Sequence, residues 1–182
     1  MTIDYAILGM LSWRPLTGYD MKRMIQESPI MYWSGNNNQI YKSLVQLLDN
    51  GYVTNEVQYQ ESAPNKKIYS ITESGRVALK EWVLNTDPEI PDIKKNFLIQ
   101  LSWAGQLGLS EINELINRYE DTMKQQVAMQ QEEKIRQKNF PNRSRQEQYI
   151  WEMVYENLRM EYETELQWIR QLREGLNQGN KE

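Results

Sequence analysis

The sequence predicts a mainly α protein in two parts: three short helices, a β-hairpin and a further helix, then helices alone. Three observations lead there. Apolar residues recur at helical spacing in short segments broken by proline and glycine over residues 1–51. One run, Lys67–Thr72, alternates Ile68, Ser70 and Thr72 with Lys67, Tyr69 and Ile71, as a strand does. Beyond Pro88 and Pro91 every apolar pattern is helical and no segment reads as a strand.

The elements follow in order. Ile3, Ile7, Leu8 and Leu11 mark a first helix that Pro15 ends. Thr17, with Asp20 three residues on, forms an N-cap pair for a second helix through Met21, Met24 and Ile25, stopped by Pro29. A third helix runs from about Asn36 to Asn50 with Ile40, Leu44, Leu47 and Leu48 on one stripe, and Gly51 closes it. Two extended stretches, Tyr52–Tyr59 and Lys67–Thr72, flank a polar turn containing Pro64-Asn65. Thr72 then caps a helix with Val77, Leu79, Trp82 and Val83. Helix, helix, helix, hairpin, helix is the order of a winged helix-turn-helix. The expected division is a DNA-binding domain at 1–84, a linker at 85–92 and a helical dimerisation and effector domain at 93–182.

In the second part, Phe97, Leu98, Leu101 and Leu107 mark a helix ending near Gly108. Ser110 is the expected cap of a long helix carrying Ile112, Leu115, Ile116, Tyr119, Met123 and Val127. After Phe140-Pro141-Asn142, Ser144 and Glu147 form a capping box for a last helix of about nine turns. Along it Tyr155, Leu158, Tyr162, Glu165, Ile169, Leu172 and Leu176 alternate steps of three and four, an a/d seam holding one carboxylate. Tyr155, Leu158, Tyr162, Ile169, Leu172 and Leu176 are the expected dimerisation residues. The seam has two available partners, its own copy in a second chain or the long helix at 110–138. A further apolar set, Ile150, Met153, Val154, Met160 and Trp168, spreads over other faces of the same helix.

Composition narrows the function. Among 182 residues there is no cysteine and no histidine. Disulfides, thiol nucleophiles and cysteine metal sites are excluded, and so are the commonest general base and every Ser–His or Cys–His pairing. No motif suggests an enzyme, a metal or a cofactor. No apolar run is long enough to span a membrane and no basic-then-apolar segment opens the chain, so a cytoplasmic location is expected. The net charge is −4, and residues 1–83 carry eight Lys/Arg against eight Asp/Glu. DNA binding by that half requires its cations to share a face.

The strings Tyr5-Ala-Ile-Leu-Gly-Met-Leu and Pro15-Leu-Thr-Gly-Tyr-Asp-Met-Lys resemble the opening of PadR-family regulators. Trp33-Ser, Gln39-Ile-Tyr, Leu44 to Leu48, Gly51-Tyr-Val and Lys66-Lys-Ile-Tyr-Ser-Ile-Thr-Glu-Ser-Gly extend the resemblance across residues 4–83. The helical second half is similar to the longer-tailed branch in length and pattern alone. Lys42 stands where a proline commonly follows the Ile-Tyr pair, and Asn36 to Asn38 form an unusually uniform stretch. The resemblance implies a bacterial regulator, more often a repressor than an activator, that dimerises through C-terminal helices. It also implies release from DNA by a small aromatic ligand.

In a helix-turn-helix the start of the recognition helix meets base edges in the major groove. Here Asn36, Asn37, Asn38 and Gln39 stand there, and asparagine or glutamine can hydrogen-bond adenine through N6 and N7. Tyr41 and Lys42, and Tyr19 and Lys22 on the helix before, suit phosphates. Lys66 and Lys67 stand on the wing. Six tryptophans are the other unusual feature: Trp13, Trp33 and Trp82 are expected to pack the winged domain. Phe97, Trp103, Trp151 and Tyr155 are the expected lining of an effector pocket. The expected partners are thus a roughly palindromic DNA operator, a second copy of the chain and a small aromatic effector. The alternative keeps the fold as a winged-helix module that binds protein instead of DNA, which the neutral charge of residues 1–83 favours.

Overall fold

A buried stripe of Ile3, Ile7, Leu8, Met10 and Leu11 makes α1 (Thr2–Trp13) the centre of the first half. This computed structural model describes residues 2–28, 30–31, 38–59, 65–87, 95–137 and 143–178. Two compact units result, Met1–Ile90 and Pro91–Glu182.

In the first unit α2 spans Gly18–Glu27 and α3 spans Asn38–Asp49. The hairpin is β2 (Val53–Gln58) and β3 (Lys66–Ile71), and α4 (Glu73–Asn85) follows. One strand escaped the sequence reading. β1 (Leu16–Thr17) pairs antiparallel with β3, Leu16 opposite Tyr69 and Thr17 opposite Ile68, giving the sheet order β1-β3-β2. Two residues are too short to show a period, so only the fold reveals this strand.

The local stops act as expected. Thr17 makes both arms of a capping box: its Oγ1 accepts from the Asp20 N–H at 3.1 Å, and its own N–H donates to the Asp20 carboxylate at 3.3 Å. Gly51 takes φ +68°, which a side chain would resist, and turns the chain from α3 into β2. Thr72 caps α4 through the Gly75 N–H. Gly75 itself sits where a Cβ would lie 2.1 Å from the Tyr52 carbonyl oxygen, so α4 packs on the start of β2 through bare backbone. The core joins α1 to Leu16, Met21, Ile25, Ile40, Leu44, Leu47, Val53 and Tyr69. Trp13 packs against this core and Trp82 stacks on Tyr5 at 4.8 Å, while Trp33 lies outside the described residues.

In the second unit α5 (Asn96–Ser102) is shorter than the sequence suggests, because the chain turns at Trp103 into a 3-10 turn, Ala104–Gln106. The long helices are α6 (Leu109–Gln137) and α7 (Arg145–Gln178). Ser110 does not cap α6. It stands inside the first turn, and the Gly108 N–H is satisfied instead by the Glu111 carboxylate at 2.9 Å. Ser144 does cap α7, accepting from the Glu147 N–H at 3.1 Å. Among the described residues no helix is long and apolar enough to cross a membrane.

The heptad seam has a partner within the chain. Tyr162, Ile169, Leu172 and Leu176 of α7 join Ile112, Leu115, Ile116, Tyr119 and Met123 of α6 in one cluster with Phe97 of α5. Ile116 and Ile169 are fully enclosed. Within the chain α6 therefore covers the later part of the seam, from Tyr162 to Leu176. Tyr155 is buried outside that cluster, beside Trp151. The large apolar residues left exposed on α7, among the described residues, are Tyr149, Ile150, Met153 and Met160.

Candidate nucleic-acid interface

The winged unit presents α3 edge-on, with Ile40, Ser43, Leu44 and Leu47 buried and the opposite face open. Asn38, Gln39, Tyr41 and Lys42 are exposed on that face, followed by Val45. Asn36 and Asn37 lie outside the described residues. The helical period therefore delivers two amides, a phenol and an ammonium to one outward surface, while the apolar stripe holds the helix in place.

Gly18 sets the spacing between α2 and α3. A Cβ there would stand 3.0 Å from Tyr41 Cε1 and 3.6 Å from Leu44 Cδ1, so the start of α2 lies directly on the recognition helix. Tyr19, the next residue, is 66% exposed, which excludes it from the core. Lys22 one turn on is half-buried, its stem along the protein. The hydrogen bond from Thr17 holds the Asp20 carboxyl below its ordinary range, with Arg23 at 4.0 Å also favouring the charge. Burial pushes the Tyr69 phenol up, and the neighbouring Tyr41 adds to this.

On the wing, Gln58 pairs with Lys66 and Val57 with Lys67. Both lysines are exposed. Strand alternation separates them: Lys67 shares a face with the buried Tyr69, while Lys66 lies on the opposite face with Ile68. Tyr59, just past the end of β2, is also exposed and was not singled out in the sequence.

The expected effector residues are not brought together. Phe97 is buried, stacked on Tyr119 at 3.8 Å and edge-on to Trp168 at 6.1 Å. Trp103 is 71% exposed. Trp151 and Tyr155 form a separate tilted pair at 5.9 Å, with the Arg143 guanidinium 4.7 Å from the Trp151 ring centre. Burial raises the Tyr155 phenol to about 12. Of the four, only Phe97 borders the cleft of about 590 Å³ that α5, α6 and α7 enclose. That cleft also contains Lys95, Tyr119 and Glu165. Lys95 Nζ donates to Glu165 Oε1 at 2.6 Å and the Tyr119 hydroxyl donates to Oε2 at 2.7 Å. No local pattern could have found this triad, since its members stand 24 to 70 residues apart, but Glu165 was the one carboxylate in the seam. Among the described residues no group of acidic side chains is arranged to hold a metal.

Comparison with known proteins places this arrangement. Residues 7–81 match the transcriptional regulator PadR-like family, and residues 93–177 match the C-terminal domain described as virulence activator alpha. The negative transcriptional regulator PadR of Bacillus subtilis is 32% identical over 113 residues. That alignment spans 62% of this chain and 62% of the relative, less than two thirds of its length. The crystal structure of Bacillus subtilis PadR with operator DNA superposes with a TM-score of 0.82 at 23% identity, covering 97% of this chain and 99% of that one. The same protein with p-coumaric acid gives 0.75 at 22% identity, covering 96% and 95%. At these identities the structures speak for the fold.

Proposed function

The chain belongs to the PadR-like family of transcriptional regulators, and from that premise we propose that it is a sequence-specific DNA-binding repressor that acts as a homodimer and is released by a small aromatic ligand. The observation that carries the reading is the outward face of α3, where Asn38, Gln39, Tyr41 and Lys42 are exposed above a fully buried stripe. Residues 1–84 read DNA, 85–92 link, and 93–182 dimerise and sense the ligand. Asn38 and Gln39, with Asn36 and Asn37 before them, contact base edges. Tyr19, Lys22, Tyr41, Lys42, Lys66 and Lys67 contact the backbone. A relative caught on operator DNA and with p-coumaric acid supports both the partner and the ligand class.

Dimerisation uses the exposed stripe of α7 rather than the covered seam. Tyr149, Ile150, Met153 and Met160 form an apolar strip along one side of the helix. Tyr162, Ile169, Leu172 and Leu176 support it from beneath by fixing α7 on α6. Two winged units then meet half-sites about 10 base pairs apart, and a ligand that alters their spacing weakens the complex. The location that goes with this role is cytoplasmic.

The test is a mobility shift with DNA upstream of the protein's own gene, at two salt concentrations and with random DNA as competitor. A specific, salt-sensitive shift at two chains per site is expected. Asn38→Ala or Gln39→Ala should reduce the preference over random DNA, whereas Lys42→Ala should weaken both and lower the salt slope by about one. Equal binding to specific and random DNA would leave the winged unit as a protein-binding module.

A further inference from the structure

We propose that the cleft between α5, α6 and α7 binds a small zwitterion with an apolar body, of which the aromatic amino acids are the simplest. The inference deepens the ligand-release reading and rests on it only for the effect on DNA, since binding itself follows from the cleft.

At about 590 Å³ the cleft is in the range of small-molecule sites, roughly 300–1,000 Å³. Its inner end is polar yet self-satisfied. Lys95 and Tyr119 both donate to Glu165, whose side chain is only 17% exposed. Burial alone would raise the Glu165 carboxyl, but the hydrogen bonds from Lys95 and Tyr119 outweigh it and hold the group below its ordinary range. Cation and anion cancel there, so this end offers no net charge to a ligand. The walls are apolar: Leu115, Met123 and Tyr162, with Tyr119 backed by the stacked ring of Phe97.

Two charged residues of the lining are exposed. Arg118 of α6 and Glu161 of α7 both border the cleft, both are exposed, and neither side chain has a hydrogen bond or ion pair among the described residues. Their neighbours differ. Arg173 donates to Asn117 and Glu120 across the two helices, and Arg159 holds Glu156 and Glu163. One free cation and one free anion on facing helices, above an apolar wall, select a ligand that carries both charges. A simple carboxylate would satisfy Arg118 but bring its charge toward Glu161. A simple amine would do the reverse.

Calorimetric titration of the full chain with L-phenylalanine, L-tyrosine and L-tryptophan tests this, alongside 3-phenylpropionate and 2-phenylethylamine, which each lack one charge of phenylalanine. At least one amino acid should bind, and phenylalanine should exceed both truncated analogues by about tenfold or more. Arg118→Gln should remove its advantage over the amine, and Glu161→Gln its advantage over the acid. Unfolding temperatures should not change, because both side chains are exposed. No heat with any amino acid, equal affinity for phenylalanine and its analogues, or unaltered affinity in both variants would overturn the site. The operator shift is a separate readout. DNA binding without amino-acid binding removes this site and leaves the regulator reading intact, whereas amino-acid binding without DNA binding does the reverse.

Discussion

The two units bury their side chains in different ways. In the winged unit four helices and a three-stranded sheet enclose one apolar core, and Ile7, Leu8, Met21 and Leu44 are almost wholly removed from water. In the helical unit two long helices and one short one face each other across a single layer. Among the described residues only Ile116 and Ile169 there are fully enclosed; half-buried leucines such as Leu115, Leu166 and Leu172 pack around them, and aromatic and polar contacts add to these: Phe97 on Tyr119, Lys95 and Tyr119 on Glu165, Arg173 on Glu120. A layer of this kind has a second side, and on α7 that side carries Tyr149, Ile150, Met153 and Met160 in the open. The difference teaches that the first unit encloses a core with its own elements, although Val77, Val83 and Leu84 of α4 stay open there too, while the second encloses fewer side chains and leaves an apolar stripe along one long helix.

The largest expected effect breaks the closed unit from within. Gly75→Ala would place a Cβ 2.1 Å from the Tyr52 carbonyl and 2.9 Å from Ile71 Cγ1, and neither backbone can retreat without parting α4 from β2. We expect a loss of about 3 kcal/mol or more, measured by thermal unfolding. An unchanged melting temperature would mean that the α4–β2 junction is looser than its geometry. Next in size is the open unit. Met153→Asp with Met160→Asp should turn dimer into monomer in sedimentation, raising the dissociation constant about a hundredfold, or roughly 2.7 kcal/mol, with no loss of helix by circular dichroism. A dimer that survives both substitutions would move the interface off this stripe.

The first unit was read from sequence almost element by element because its signals are local. Proline after α1, threonine before α2 and α4 and glycine after α3 each act within four residues, and the stripe through Ile40, Leu44 and Leu47 identifies the buried side of α3. β1 was missed since its pairing with β3 spans more than fifty residues of chain. The second unit was harder for a physical reason. A three-four apolar spacing looks the same whether it faces a neighbouring helix or a second chain. The surplus apolar surface of α7 was visible, but not which side would remain open. Phe97, Trp103, Trp151 and Tyr155 do not share a cleft within the helical unit of one chain, while the cleft's own charges, Arg118 and Glu161, look like ordinary solvated positions on long helices.

Alkali should separate the units where acid does not. The lowered carboxyls are Asp20 in the winged unit and Glu120 and Glu165 in the helical one. Their contribution is complete above the ordinary carboxylate range and lost as pH falls through their folded values, so acid weakens both units. The raised phenols are unevenly placed: Tyr119, Tyr155 and Tyr162 are in the helical unit, against Tyr69 in the winged one. A phenol raised by folding supports stability below its unfolded value of about 10 and withdraws that support as pH rises beyond it. For Tyr155 the loss extends to about 12. Scanning calorimetry from pH 9 upward, a range set by the phenol value of about 10, should show the helical unit weakening first. Simultaneous loss of both would contradict the uneven burial.

The smallest effect compares the caps. Thr17 has both arms of its box with Asp20 and opens a ten-residue helix packed on α3, so its loss is felt by the whole of α2. Ser144 satisfies the Glu147 N–H at the exposed start of a 34-residue helix, whose first turn can fray without disturbing Ile169 far along it. Thr17→Ala should therefore cost about 1 kcal/mol, and Ser144→Ala nearer the lower end of capping effects, about 0.5 kcal/mol. Denaturant unfolding of the two variants checks the ranking. The reverse order would mean that the start of α7 is held as firmly as α2, and that the helical unit is closed at this end by more than its own first turn.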